Sequence, residues 1–584
     1  MRILLLTHAF NCLTQRLFVE LSARDHAVSV EFDINDAVSV EAVELFRPDA
    51  IVAPYLKRAI APQIWRHHLC LVVHPGIEGD RGPAALDWAI MERQPDWGVT
   101  VLQANAELDG GDIWASAAFP MRPATKSSLY RNEVTEAATA AVLLALKRHE
   151  SGTFKPTPLA ERGADARGCW HPPMRQHERR IDWHGDSTAT VLHKIRAADG
   201  FPGVLDELLG LPCYLFDAHA EPQLRGHAGE IVAHCQGAVC RATRDGAVWI
   251  GHLREKPVAE PSFKLPAAQV LAERLRDVPE IEASLPVLDP DAGYGEIGYR
   301  ERDGVGYLHF DFYNGAMSTV QCQRLLQTYR YACCRKTRVI VLLGGADFWS
   351  NGIHLNQIEA ADSPADESWR NINAMNDLAH ALITTETHLT VAAMQGNAGA
   401  GGVFLALAAD RVYARSGAVL NPHYKSMGNL YGSEYWTYLL PRRVGAEQAA
   451  RLVDRRLPIG ARAAAELGLL DACFGFSPAS FRRQVEQRAS ALAADPGFSE
   501  HLAAKLQRRR QDERSKPLAQ YRTEELERMR LNFYGFDPSY HVARYNFVFG
   551  VPESWTPLYL ARHRSKSRAG QSRPFGGERA EQQA

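Results

Sequence analysis

The chain has 584 residues, too many for one ordinary hydrophobic core; at roughly 100–200 residues per domain, about three to five folding units are expected. Apolar residues make up 46% and charged residues 23%, which excludes a disordered chain. Sixty-six basic against 68 acidic side chains leave a net charge of −2, so nothing in the bulk charge points to nucleic acid or an anionic membrane.

Ile3–Leu6 is too short for a signal-peptide core. The uncharged stretch His388–Ala409 is interrupted by Gln395, Asn397 and four glycines, so a strand, a turn and a helix start are expected there and not a membrane span. The ten cysteines form no CxxC pair and no Cys/His grouping at zinc spacing. They read as reduced packing residues of a cytoplasmic protein without a metal site.

In chain order, short apolar runs at Ile3–Leu6, Val28–Phe32, Ile51-Val52, Leu69–Val73 and Gly98–Gln103 alternate with helical patterns, and Glu133–Lys147 is a long Ala/Leu-rich helix. The α/β alternation predicts a doubly wound, mostly parallel sheet over residues 1–160. Gly163–Pro173 lacks periodicity and reads as a linker. Short strand-like pieces between 178 and 265 predict a small β-barrel domain. From about 290 to 475 strands and helices alternate again. Residues 476–560 form a charged helical extension, and 562–584 are poor in apolar residues and read as a disordered tail.

His74 follows the strand Leu69–Val73 and opens the glycine-rich loop Pro75–Pro83. Ligands bind at the carboxyl ends of strands in such sheets, and a histidine there is an acid/base candidate. Leu108-Asp109-Gly110-Gly111-Asp112 follows the next strand and supplies a carboxylate on a tight turn. The strings HPGIEGDRGPAALDWAI and WGVTVLQANAELDGGDIW resemble the catalytic core of the N10-formyltetrahydrofolate-dependent formyltransferases, and the likeness extends to about residue 265. That resemblance implies a catalytic pair, His74 and Asp112. Asn11, Gly76, Arg81, Gly82 and Asp109 are the residues it places around the formyl donor. The family's catalytic asparagine falls on Val72; Asn11 and Gln15 could substitute for the missing amide.

Two further strands run into glycine-rich turns, GGADFWSNGIHLNQIE and QGNAGAGGVFLALAADRVYA. Two such turns side by side can aim two backbone N–H groups at one carbonyl oxygen. They resemble the crotonase (enoyl-CoA hydratase/isomerase) superfamily, whose β/α spiral domain binds acyl-CoA thioesters. The resemblance implies oxyanion-hole amides at Ile353 and Gly401, with Gly352, His354 and Gly402 lining the coenzyme A site and Ser350 beside the first turn. The hydratases' two glutamates fall on Phe404 and near His423. Among the polar residues Tyr424, Lys425 and Glu434 close by, Tyr424 and Glu434 are expected to handle protons.

The two halves together resemble the HypX/HoxX family of NiFe-hydrogenase maturation factors. This implies formyl transfer from N10-formyltetrahydrofolate to coenzyme A, then decarbonylation of formyl-CoA to CO. The expected partners are small-molecule substrates and hydrogenase maturation proteins. The alternatives are a formyltetrahydrofolate hydrolase, a formyltransferase to another acceptor, and a non-catalytic maturation scaffold.

Overall fold

The computed structural model describes residues 1–159, 167–258, 260–281 and 294–569. The first unit is a six-stranded sheet. Arg2–Thr7 lies between Ala27–Phe32 and Ala50–Ala53, and Cys70–His74 follows, all in parallel. Asp96–Gln103 and Ile113–Pro120 extend the sheet antiparallel. The parallel strands are buried on both faces and accordingly read as unbroken apolar runs such as Ile3–Leu6. Helices Cys12–Ser22 and Thr135–Ser151 cover one face, and Asp36–Phe46 covers the other.

Helix starts follow their capping residues. Asn11, Asn35, Ser187 and Ser318 each accept a hydrogen bond from a first-turn N–H, a device contributing about 1 kcal/mol apiece.

The second unit is an antiparallel sheet wrapped on helix Thr188–Ala198. Its order runs Val204–Leu208, Leu211–Glu221, Ala247–Glu255, Ala238–Ala242 and Ile231–Cys235, so the barrel is an open one whose outer strands do not pair.

In the third unit Val305–Phe310, Val339–Gly344, Leu389–Met394, Arg411–Arg415 and Ala472–Phe474 run parallel. Short strands Phe348–Ser350, Asn397–Gly399 and Val419–Asn421 form the core of a second, smaller sheet at their ends. This is the layered β/α spiral. The helical extension belongs to its core: Phe481, Val485 and Ala489 of Pro478–Ala494 pack beneath Val305, Val339 and Val391. Met529 and Phe533 of Leu518–Tyr534 join the main apolar cluster of this unit.

The expectation of a disordered tail from 562 is corrected. Arg562–Ala569 is helical, and His563 and Arg564 both bond Glu31 of the first sheet. Hydrogen bonds from both side chains to this one enclosed carboxylate hold the segment to the sheet despite its poor apolar content. Residues 570–584 lie outside the described residues, as do 163–166 of the expected linker.

Candidate functional site

His74 ends its strand with its ring buried. Its Nε2 donates to Asp80 Oδ2 at 2.7 Å, and its Nδ1 lies 3.5 Å from Asp109 Oδ2. The loop wraps tightly here, since a Cβ on Gly76 would meet both His74 Nε2 and Asp80 Oδ2 at 2.4 Å. Only glycine fits.

The expectation for Asp112 is corrected, because the carboxylate beside His74 on the second turn belongs to Asp109. Asp109 adopts φ +53°, which aims its side chain back so that Oδ2 accepts the Gly82 N–H at 3.2 Å. Asp112 re-enters the sheet, its carbonyl accepting the Gln103 N–H at 2.9 Å, and it is not among the carboxylates within 4.0 Å of the imidazole. Asn11 and Gln15 are also committed elsewhere. Asn11 Oδ1 caps its helix and Nδ2 donates to Tyr130; Gln15 donates to the Phe10 carbonyl and accepts from Asn421 of the other half. Arg81 pairs with Glu107. Asp80 had no sequence signal beyond its place in the glycine-rich loop.

In the second half the two glycine turns face each other: a Cβ on Gly352 would lie 3.4 Å from the Gly401 nitrogen. Neither the Ile353 nor the Gly401 N–H has a protein acceptor among the described residues. Both are free to bind a carbonyl oxygen. Gly402 serves packing, since a Cβ there would strike the Ser350 carbonyl at 2.0 Å and Trp349 donates to its own carbonyl. His354 caps the helix after the first turn, and burial pushes its imidazole down to about 3, so it is neutral.

Tyr424 and Glu434 meet. The phenol donates to Glu434 Oε2 at 2.5 Å, while Glu434 Oε1 is buried without a partner among the described residues. An ideal Cβ on Gly401 would sit 2.2 Å from that oxygen, so it lies directly against the second glycine turn. Burial, reinforced by the neighbouring Glu525, pushes the Glu434 carboxyl up to about 8, against a lowering contribution from the Tyr424 hydrogen bond.

The turn carrying Glu434 is unusual: Glu434 and Tyr435 have φ +58° and +59°. Glu525 holds it from helix Leu518–Tyr534, accepting the Tyr435 N–H, the Thr437 N–H and hydroxyl, and the Ser433 hydroxyl; Asn376 accepts the Glu434 N–H at 2.7 Å. Glu525 and Asn376 carry no local sequence signal, since only the tertiary fold brings them here. Phe404 stacks on Tyr424 with ring centroids 5.3 Å apart. His423 is buried with its imidazole pushed down to about 4, and Lys425 turns outward to Asp454.

The halves meet beside the glycine turns of the second half. Asp347, just before the first oxyanion turn, accepts from Ser128, Asn132 and Arg131 at 2.6, 2.9 and 3.2 Å. Among the described residues no cluster of three or more His, Cys, Asp or Glu could hold a metal, and no helix is long and apolar enough to cross a membrane.

A formyltransferase-type sheet with a buried His–Asp pair is thus joined to a crotonase-type spiral with two facing glycine turns. Residues 29–146 match the formyl transferase family, 173–263 the formyl transferase C-terminal domain, and 313–530 the enoyl-CoA hydratase/isomerase family. The chain is 56% identical to the hydrogenase maturation factor HoxX of Bradyrhizobium diazoefficiens over 99% of both chains. It superposes on a crystal structure of HypX from Aquifex aeolicus in complex with tetrahydrofolic acid with a TM-score of 0.93 and 52% identity, over 97% of this chain and 99% of that one. The methionyl-tRNA formyltransferase of Variovorax paradoxus is 29% identical over 37% of this chain and 68% of its own. The chain belongs to the HoxX/HypX family of hydrogenase maturation factors.

Proposed function

We propose that this protein makes CO in two steps, transferring a formyl group from N10-formyltetrahydrofolate to coenzyme A and then decarbonylating formyl-CoA. The observation that carries the reading is the free Glu434 oxygen against Gly401, at a site where both hydratase glutamates are gone.

In the first step His74 takes the thiol proton and returns it to N10 as the C–N bond breaks, so no proton is lost overall. In the second, the Ile353 and Gly401 N–H groups hold the formyl oxygen. Formyl-CoA has no α-carbon, so neither hydration nor enolate formation is open to it. Glu434 removes the formyl hydrogen, the C–S electrons leave with sulfur, and the proton passes on to the thiolate. CO and free coenzyme A result. Tyr424 holds Glu434 in place, and Phe404 fills the position where a second carboxylate would activate water.

The folate complex of the HypX relative supports the donor, and the crotonase-type turns support coenzyme A. We place the domains at 1–160, 178–265, 290–475 and 476–560, the proteins served among the hydrogenase maturation apparatus, and the protein in the cytoplasm. Incubation with formyltetrahydrofolate and coenzyme A, with deoxyhaemoglobin to trap gas, tests the reading: CO should form in step with tetrahydrofolate. Tetrahydrofolate release without CO or formyl-CoA would favour a hydrolase.

A further inference from the structure

In a neutral imidazole one nitrogen donates and the other accepts, which decides where a proton can be taken. Asp80 is enclosed and accepts at both oxygens, Oδ2 from His74 Nε2 at 2.7 Å and Oδ1 from His171 Nδ1 at 3.1 Å. A carboxylate has no hydrogen to give, so both facing nitrogens carry N–H. When the ring is neutral, the lone pair of His74 is therefore on Nδ1, and once that nitrogen takes a proton it faces Asp109 Oδ2 at 3.5 Å.

His171 comes from the segment between the first sheet and the barrel, and that segment is fitted to the loop. The Arg81 N–H donates to the Cys169 carbonyl at 3.1 Å, and the His171 N–H donates back to the Arg81 carbonyl at 2.9 Å. The His171 ring stacks on Trp88 with centroids 5.5 Å apart, and Trp88 Nε1 donates to the Pro172 carbonyl. Two glycines permit the approach. A Cβ on Gly82 would lie 2.1 Å from the His171 carbonyl oxygen, and one on Gly168 would lie 1.9 Å from the Asp80 nitrogen. Such closeness gives the segment one seat.

We propose that Asp80 and His171 are positioning residues of the first site: Asp80 fixes the His74 tautomer whose Nδ1 is free to accept a proton, and His171 fixes Asp80. The inference rests on the reading of that site as a formyl-transfer centre. The Asp80 carboxylate steadies the imidazolium formed when Nδ1 accepts the thiol proton, as an orienting carboxylate behind a catalytic histidine does. Residues 168–172, read from sequence as part of a linker, are then a working part of the site.

The test is steady-state tetrahydrofolate release by the full chain with formyltetrahydrofolate and coenzyme A. Asp80→Asn should lower kcat about 10²-fold or more with KM for the donor within about twofold, since orientation and not binding is lost. His171→Ala should lower kcat about tenfold, and His171→Gln, whose amide can still donate to Asp80, should recover most of it. The His171 pair carries the test should Asp80→Asn fail to fold. Wild-type kcat in Asp80→Asn, or a loss lying wholly in KM, overturns the proposal while His74→Ala is inactive. An active His74→Ala instead overturns the reading of the site beneath it.

Discussion

Tyr424 and Glu434 lie ten residues apart, and the phenol hydrogen bonds one carboxyl oxygen while the other is left unpaired against Gly401. An unpaired buried carboxyl oxygen is costly, on the order of 1–3 kcal/mol. It persists because the fold over-determines the turn: Glu525 and Asn376 hold the backbone on either side in a left-handed conformation that a glutamate rarely adopts. The strained turn lies directly against Gly401, whose N–H has no protein acceptor among the described residues.

The first expectation follows from that geometry. Tyr424→Phe and Glu434→Gln should both release tetrahydrofolate normally while CO output falls about 10²-fold or more, the range for an acid/base group. Formyl-CoA should accumulate or appear as formate. Chromatography of the thioester beside the gas assay reads both, and wild-type CO from both variants would place the proton carrier elsewhere.

The pH dependence has a defined sign. Glu434 acts as a base only when ionised, and burial holds its carboxyl up to about 8, so CO release should rise as pH climbs through that value. The groups facing it are Tyr424, whose hydroxyl is pushed well above its usual range by burial and by Glu434, and Glu525, pushed up to about 7 by burial. Glu525→Gln removes a like charge and should move the midpoint for CO release to lower pH, leaving tetrahydrofolate release unmoved. Stability runs the other way. The folded chain keeps a proton that the unfolded chain loses above about 4.5, so this stabilisation is complete below 4.5 and is lost as pH rises through about 8. Glu434→Gln should flatten that decline in thermal melts.

Both glycine-rich turns and the alternating sheet were legible because they are local. Apolar runs ending at Val73, Leu343 and Met394 mark the strands, and the glycines after them mark where backbone must pass closely. What local reasoning missed depends on a single dihedral or on distant chain. In Leu108–Asp112 either aspartate satisfies the spacing, and only the left-handed φ of Asp109 decides which one turns to His74. Asp80 needed His171, 91 residues on, and Glu434 needed Glu525. The tail was misread because composition measures apolar burial and is blind to one enclosed carboxylate.

Gly401 offers a test of the oxyanion turn that spares its N–H. A Cβ placed there would meet Glu434 Oε1 at 2.2 Å, far inside contact distance. Gly401→Ala should thus displace the carboxyl and lower CO release about 10²-fold, as displacement of a group from its reacting geometry does, without affecting formyl transfer. Gly402→Ala should instead destabilise the fold, because its Cβ would strike the Ser350 backbone at 2.0 Å. Separate activity and melting measurements on the two variants distinguish the roles.

The C-terminal strap gives the last expectation. Ala27–Phe32 is the outer strand of the first sheet, an edge that would otherwise be exposed. Residues 556–564 cover it: the Val30 N–H donates to the Leu560 carbonyl at 3.1 Å, the Phe32 N–H to Thr556 Oγ1 at 2.8 Å, and Ser29 Oγ bonds His563 Nδ1 at 2.7 Å. Glu31, fully enclosed, accepts from His563 and Arg564 at 2.8 Å each. Burial alone would raise its carboxyl, yet the bonds from His563, Thr556 and Arg564 prevail and hold it below its usual range. Its contribution is therefore present above about 4.5 and is lost as pH falls through the lowered value. Removing one partner of a buried pair strands the other, so Glu31→Ala should cost about 3–5 kcal/mol. The strap joins positions more than 500 residues apart, so the loss should fall on the first sheet. Relative to wild type at neutral pH, Glu31→Ala should show an earlier transition in which residues 27–32 become open to hydrogen exchange. A variant melting as wild type, with that strand still protected, would show that the strap does not hold the sheet edge.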